Sequence, residues 1–264
     1  MDDCQGPFQL VIALALSSML FGCQPNAEQG KPERSSLVET PSPKHDLLQK
    51  AWDAHGGMKD WQKMQQLAFS LYEDDELLNR QTIDLRSNKL LISSESYRFG
   101  YDGQQAWLKG ILQAEPDDAS IRNMHQQLFF FTMPFMLANE GVKVSTQGWQ
   151  QLQGSSYQGL LVTFEQSIDV PAVAFRVYFD PDTHRMAWLI TAADDNNEEQ
   201  IARHYRDWQW VNGLLVPLTC EIFSWKGGTP GKIILTQQYL DVSLDALPVD
   251  QSMFLPPGGA TSLP

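Results

Sequence analysis

The feature that most restricts how this chain folds is an alternation of period two through its second half. Val173, Phe175, Val177 and Phe179 alternate with Ala174, Arg176, Tyr178 and Asp180. In an extended backbone successive side chains leave opposite faces, so such a segment is a half-buried strand. Leu160, Val162 and Phe164 repeat the pattern against Leu161 and Thr163, and Leu218, Cys220 and Ile222 share one face of another such run. Asp102 with Gly103, Asp180 with Pro181, Asn212 with Gly213 and Gly227 with Gly228 punctuate these runs with hairpin and loop chemistry. The pattern predicts consecutive antiparallel strands and a mainly β, α+β fold.

Two stretches break the period. From Asp46, Leu48, Trp52 and His55 recur at helical spacing, with Leu47 and Ala51 beside them, until Gly56 and Gly57 stop the helix. A second short helix is predicted through Trp61, Met64 and Gln65. From Asp117 to Ala138 the positions of Ile121, Met124, His125 and Leu128 also suit a helix, and they lead into the apolar run Phe129 to Leu137. Pro134 prevents that run from being one regular helix. The sequence contains no internal repeat of fixed period.

The N-terminus reads differently. Residues 8–21 are apolar but too short to span a bilayer, which takes about 20 residues, and they suit a signal-peptide core. Leu20, Phe21, Gly22 and Cys23 resemble the bacterial lipobox, which implies that residues 1–22 are a signal peptide and that Cys23 becomes the diacylated N-terminus. Gln24 stands where an Asp usually retains such proteins at the inner membrane, so the expected address is the outer membrane, facing the periplasm. Residues 23–45, rich in Pro, Ser, Glu and Lys, read as a tether. About 20 such residues extend to roughly 66 Å, which lets a single domain over 46–264 hang free of the membrane.

Cysteine usage agrees with this reading. Cys4 leaves with the signal and Cys23 takes the lipid, so Cys220 has no disulfide partner and is expected as a buried thiol. A nucleophilic role for it needs a nearby base and an exposed, electropositive setting. A formal net charge of −13 opposes polyanions, so nucleic acid is not an expected partner. Removing residues 1–22 takes away Asp2 and Asp3 and no base, leaving the mature chain acidic.

Several local patterns carry a family resemblance. Ala51 to Gly57 (AWDAHGG) with Trp61, Tyr101 to Trp107 (YDGQQAW), and the run Phe129 to Leu137 resemble a family of uncharacterised bacterial envelope proteins. These look like distant relatives of the periplasmic lipoprotein carriers and outer-membrane lipoprotein receptors. Phe254 to Gly258 (FLPPG) is similar to the carriers' C-terminal pattern, and Phe179 to Arg185 (FDPDTHR) to their central hairpin. The resemblance runs from about Leu48 to Gly258. It implies a curved antiparallel half-barrel with helices covering its open face and an apolar cavity between them. The expected partners are then the membrane, through the lipid anchor, and a hydrophobic small molecule or acyl chain.

Candidate ligand-binding residues follow from that cavity: Trp52, His55, Trp107, Phe130, Phe131, Met133 and Phe135. Each has a plainer reading. The Phe129 to Leu137 run is either a lid lining the cavity, a role that Met133 and Met136 suit through adaptable thioethers, or core covering the sheet. His55 shares the inward helix face of Leu48 and Trp52, as a structural histidine or as a ligand or catalyst. The chain's eight Trp are either packing or an aromatic cavity lining. No metal site is expected: His45, His125, His184 and His204 lack chelating spacing, and Asp180, Asp182 and His184 are explained by a hairpin. The acidic runs Glu73 to Glu76 and Asp194 to Glu199 lack the calcium-loop pattern and read as solvated loops. Serine-elbow, zincin, phosphate-loop and dinucleotide motifs are all missing, so no catalytic residue and no cofactor are expected. An enzyme would have to use dispersed residues such as Asp53 and His55. The rival to ligand binding is a structural or interaction subunit of the envelope with a filled core.

Overall fold

A computed structural model describes residues 43–110, 129–164, 174–191 and 200–263. The signal peptide, Cys23, most of the tether, Val173 and the stretches 111–128 and 192–199 lie outside the described residues. Helix α1 (Pro43–Ala54) begins three residues before the expected domain start, with Pro at its first position, where the missing N–H breaks no bond. It is followed by the single turn α2 (Met58–Trp61).

Among the described residues thirteen strands follow: β1 (Gln66–Glu73), β2 (Glu76–Asp84), β3 (Lys89–Ser93), β4 (Tyr97–Tyr101), β5 (Ala106–Gly110), β6 (Val142–Leu152), β7 (Ser155–Phe164), β8 (Ala174–Phe179), β9 (Met186–Thr191), β10 (Gln200–Val211), β11 (Leu214–Lys226), β12 (Thr229–Asp245) and β13 (Thr261–Ser262). The predicted turns at Asp102-Gly103, Asp180-Pro181, Asn212-Gly213 and Gly227-Gly228 join β4 to β5, β8 to β9, β10 to β11 and β11 to β12. The Glu73 to Glu76 run is the tip of the β1–β2 hairpin, with Asp74 and Asp75 at positive φ and the two Glu paired in the ladder.

All these strands form one sheet in the order β13-β5-β4-β3-β2-β1-β12-β11-β10-β9-β8-β7-β6, antiparallel throughout. Two meanders, β1–β5 and β6–β12, are joined where β1 pairs with β12. Flat, thirteen strands would be about 58 Å wide. Yet one hydrophobic cluster takes in Phe69 of β1, Ile83 of β2, Ile92 of β3, Phe99 of β4, Val162 of β7, Phe175 of β8, Met186 of β9, Tyr205 of β10, Cys220 of β11 and Tyr239 of β12. Only a sheet rolled around its inner face brings these together, and its edges, β6 and β13, are not paired with each other. This is the open antiparallel half-barrel that the resemblance implies.

The order also explains the apolar run. The chain leaves the sheet at β5, beside one edge, and re-enters at β6, the other edge. The described end of that crossover, residues 129–141, carries Phe129, Phe130, Phe131, Met133, Phe135 and Leu137, all 2–5% exposed and all in the inner cluster. Helix α1 joins them through Leu47, Leu48 and Ala51.

The outer face has its own clusters. β-Bulges between Ile222 and Phe223 and between Phe223 and Trp225 bend the β11–β12 hairpin. Its far end packs with Leu152 of β6, Tyr178 of β8, and Trp188 and Ile190 of β9. On the other meander Trp107, Leu91, Val249 and Phe254 form a third cluster.

Candidate functional site

Helix α1 is pinned at its C-terminus. His55 is fully buried; its Nδ1–H donates to the Ala51 carbonyl at 2.6 Å and its Nε2 accepts from the Met186 amide at 3.4 Å. Burial, the largest influence, drops its pKa to about 4, so the ring is neutral at physiological pH. Its carbonyl accepts from Leu215 N at 3.0 Å. The next residue permits the approach only as glycine: at Gly56, with φ +101°, a Cβ would sit 2.2 Å from the Gly213 carbonyl oxygen. His55 therefore locks α1 to the β9 and β11 ends, and both ring nitrogens are engaged by backbone.

One turn earlier Trp52 donates from Nε1 to the Pro134 carbonyl at 3.1 Å, tying α1 to the crossover. Phe135 stacks on Trp61 with ring centres 4.7 Å apart and meets His55 edge-on at 6.4 Å. Phe131 stacks on Phe69 at 5.0 Å and meets Tyr239 at 4.9 Å. Phe130 lies under the Arg203 guanidinium, 3.6 Å from its ring centre, while its carbonyl accepts from the Tyr205 hydroxyl at 3.1 Å. These contacts pack Phe130, Phe131 and Phe135 into the inner cluster, to which Met133, 2% exposed, also belongs.

Space opens beside them. A cavity of about 440 Å³ lies between α1, the 3₁₀ turn Phe135–Ala138 and the start of β6, lined by Leu48, Trp52, Leu137, Ala138, Asn139, Val142, Lys143 and Val144. Its volume falls within the range of roughly 300–1,000 Å³ usual for small-molecule sites. Six of its eight lining residues are apolar, but with Asn139 and Lys143 at the mouth the wall is about evenly polar and apolar, and it is open to solvent.

Of the residues expected at the cavity, the structure places Trp52 in its wall. It sets Phe130, Phe131, Met133 and Phe135 in the core behind, and His55 at the helix pin. Trp107 it puts elsewhere, on the outer face, where Nε1 donates to the Phe254 carbonyl at 2.7 Å and the indole lies against Gly100, at which a Cβ would be 2.3 Å from the ring. The lining residues missed were Leu48, Leu137 to Asn139 and Val142 to Val144. Val142 and Val144, alternating with Lys143, carried a period-two signal short enough to overlook.

Cys220 is a free, fully buried thiol, and burial pushes its pKa up to about 12, which suits packing and not nucleophilic attack. Asp180 closes the β8–β9 turn, accepting from Thr183 N at 2.7 Å and Thr183 Oγ1 at 2.8 Å. Among the described residues no three His, Cys, Asp or Glu are grouped to hold a metal ion, and no helix is long and apolar enough to cross a membrane.

No family model matches this sequence, and no curated protein matches it either. Solved structures do. A LolA superfamily protein from Nitrosomonas europaea aligns with a TM-score of 0.50 at 13% identity, covering 81% of this chain and 98% of the other. A DUF1329 family protein from Desulfovibrio piger aligns at 0.49 and 10% identity, with 81% and 98% covered. A domain from Vibrio parahaemolyticus described as an outer membrane lipoprotein-sorting protein aligns at 0.48 and 9%, with 79% and 94% covered. At such identities the likeness is one of fold: the chain has the LolA-like fold.

Proposed function

We propose that this chain is a lipid-anchored envelope protein that binds an apolar or amphipathic ligand, a lipid or an acyl chain, in the cavity between α1, the crossover and β6. The observation that carries the reading is the cleft itself, about 440 Å³, open to solvent and bordered by Leu48, Trp52, Leu137, Val142 and Val144 at the edge of the inner core. A cleft of this size with apolar residues along its wall matches the volume of small-molecule sites, which favours a ligand over the filled-core rival. The lipobox-like Leu20 to Cys23 supports an anchor at Cys23 and, with Gln24, an outer-membrane address facing the periplasm. The LolA-like fold is in keeping with binding rather than catalysis. So are the exposed Asp53, which accepts from Gln49 at 2.9 Å, and the fully engaged His55.

The test is native extraction of the full chain followed by mass spectrometry of copurifying small molecules, with Ala138→Trp alongside to fill the cavity from its exposed rim. The expected result is an acyl-containing amphiphile on the parent that is depleted at least about tenfold on the variant. An empty parent, or equal loading of both, would refute a site in this cavity.

A further inference from the structure

The outer face of the sheet is covered on both sides of the seam between the meanders, but not at the seam. One outer cluster draws on β6, β8, β9, β10 and β11, and the other on β3, β5 and the segment around Phe254. β2, β1 and β12 lie between them. Phe69 and Leu71 of β1 point into the inner cluster, so by alternation Ser70 and Tyr72 point outward. Cross-strand pairing then fixes the outward residues of the neighbours: Leu77 of β2 faces Tyr72, while Gln238 and Leu240 of β12 face Tyr72 and Ser70. Ile234 follows on the same face of β12, since Leu235 and Tyr239 belong to the inner side.

This strip is apolar and open to solvent. Leu77 is 38% exposed, Leu78 42%, Leu240 39%, Ile233 52% and Ile234 58%, five of the nine large apolar side chains exposed among the described residues. A lone exposed leucine is ordinary, but a grouping on adjacent strands marks an interaction surface. Two bulges make the grouping: Leu78 and Ile234 are each the extra residue of their strand, so Leu77–Leu78 and Ile233–Ile234 are both exposed pairs where regular alternation would bury one of each. Acids border the strip. Asp74, Asp75 and Glu76 form the exposed tip of the β1–β2 hairpin, held against β12 by Asp74 N donating to the Thr236 carbonyl at 3.0 Å and Thr236 N donating to Asp74 Oδ1 at 3.1 Å. Asp241 is exposed next to Leu240. Against these acids stand Arg80, opposite Ser70, and Lys232, next to Ile233.

We propose that the seam strip is a docking surface for a protein partner that presents an amphipathic helix with an apolar face flanked by Lys or Arg. From β2 to β12 the strip is about 10 Å across, roughly the diameter of one helix. Its apolar side chains supply affinity, and its acids choose the partner. Charge also selects among occupants. A second copy would set an acidic rim against an acidic rim, and the chain's net charge of −13 adds to that repulsion, as it does against an anionic lipid surface. A basic amphipathic segment complements both the leucines and the rim. The strip shares no residue with the cleft between α1 and β6, so this inference stands apart from the proposed function.

The test is fluorescence anisotropy of the full chain with two labelled synthetic helices that share one leucine face and carry either lysine or glutamate on the other. The parent is expected to bind the lysine helix at least about tenfold more tightly than its glutamate twin. Leu78→Ser with Ile234→Ser is expected to weaken the lysine helix about tenfold, while Leu247→Ser with Leu255→Ser, 69% and 55% exposed elsewhere, leaves it unchanged. Asp75→Asn with Glu76→Gln removes charge from the rim and relieves the cross-strand pairing of Glu76 with Glu73, so that chain folds as the parent does and is expected to bind the lysine helix about threefold more weakly. Equal affinity for the two helices, or seam variants that bind as the parent does, overturns the proposal. So does a parent dimer in sedimentation, or parent binding to phosphatidylglycerol vesicles, that the Leu78→Ser, Ile234→Ser chain loses, because the surface then belongs to a second copy or to lipid.

Discussion

The two faces of the sheet solve the same problem in different ways. On the outer face a bent hairpin folds its own far end over β6–β9, burying Trp188 completely and stacking its indole on His204 at 4.1 Å with the rings 5° from parallel. On the inner face the cover comes from α1 and the crossover, segments remote from most of the strands they touch. The hairpin closes its cluster by continuing a strand. The crossover must traverse the sheet from edge to edge, and between it, α1 and β6 it leaves a cavity. Here open space arises where cover is assembled from separate pieces.

The largest expected effect sharpens that contrast. Trp188→Ala removes a fully buried ring from a closed cluster and should cost about 3–5 kcal/mol. Leu137→Ala removes a cavity-lining side chain that already borders empty space, and should fall near the low end of about 2–5 kcal/mol. Chemical denaturation of both variants measures the difference. Equal losses would mean that the cavity wall is packed as tightly as the outer cluster.

Next comes pH. The His55 pKa is about 4 in the folded chain and 6.5 as its ordinary value, so between these values the unfolded chain holds more protons. The contribution is present in full above pH 6.5 and is lost as pH falls toward 4, by about 3 kcal/mol. On the outer face His204 is also lowered, chiefly by burial, against the opposing pull of Glu221 3.3 Å away. It adds to the loss in the same direction. Thermal midpoints from pH 7 to pH 4 should fall, and His55→Gln should flatten the slope more than His204→Gln. The reverse ranking would place the more strongly buried histidine on the outer face.

The smallest effect is an absence of change. With its thiol buried and its pKa pushed up to about 12, Cys220 should resist an aromatic disulfide reagent in the folded chain and react once denaturant is added. Prompt labelling of folded protein would show that the inner face opens on the reagent's timescale.

What could be read in advance was local. Phe175, Val177 and Phe179 advertise their strand by period two, the Asn-Gly and Gly-Gly pairs mark hairpin tips, and Gly56 and Gly57 end α1. The LolA-like architecture was legible only through resemblance in scattered pieces. The site was harder because its geometry is set by distant pairs. His55 looks like a ligand until its Nε2 meets the amide of Met186, 131 positions away. Trp107 and Trp52 are alike as aromatic residues near glycine-rich turns, yet one strand faces Phe254 outside and one helix faces the crossover.

The seam between the two meanders has a kinetic consequence. Most neighbouring strands are joined by hairpins of a few residues, which form within microseconds of collapse. Two pairs are exceptions: β1 and β12, where Gln66 pairs with Asp245 across 179 positions of chain, and the short β13 with β5, where Thr261 pairs with Leu108 across 153. Closing the longer loop costs entropy before any ladder bond repays it, and folding slows as contacts become more distant in sequence. The halves can thus form as separate curled sheets, and the rate of reaching the native state should be governed by how often β1 finds β12. Substitutions in that ladder, such as Leu71→Ala opposite Tyr239, should therefore slow folding more than substitutions in the β10–β11 hairpin, which should chiefly speed unfolding.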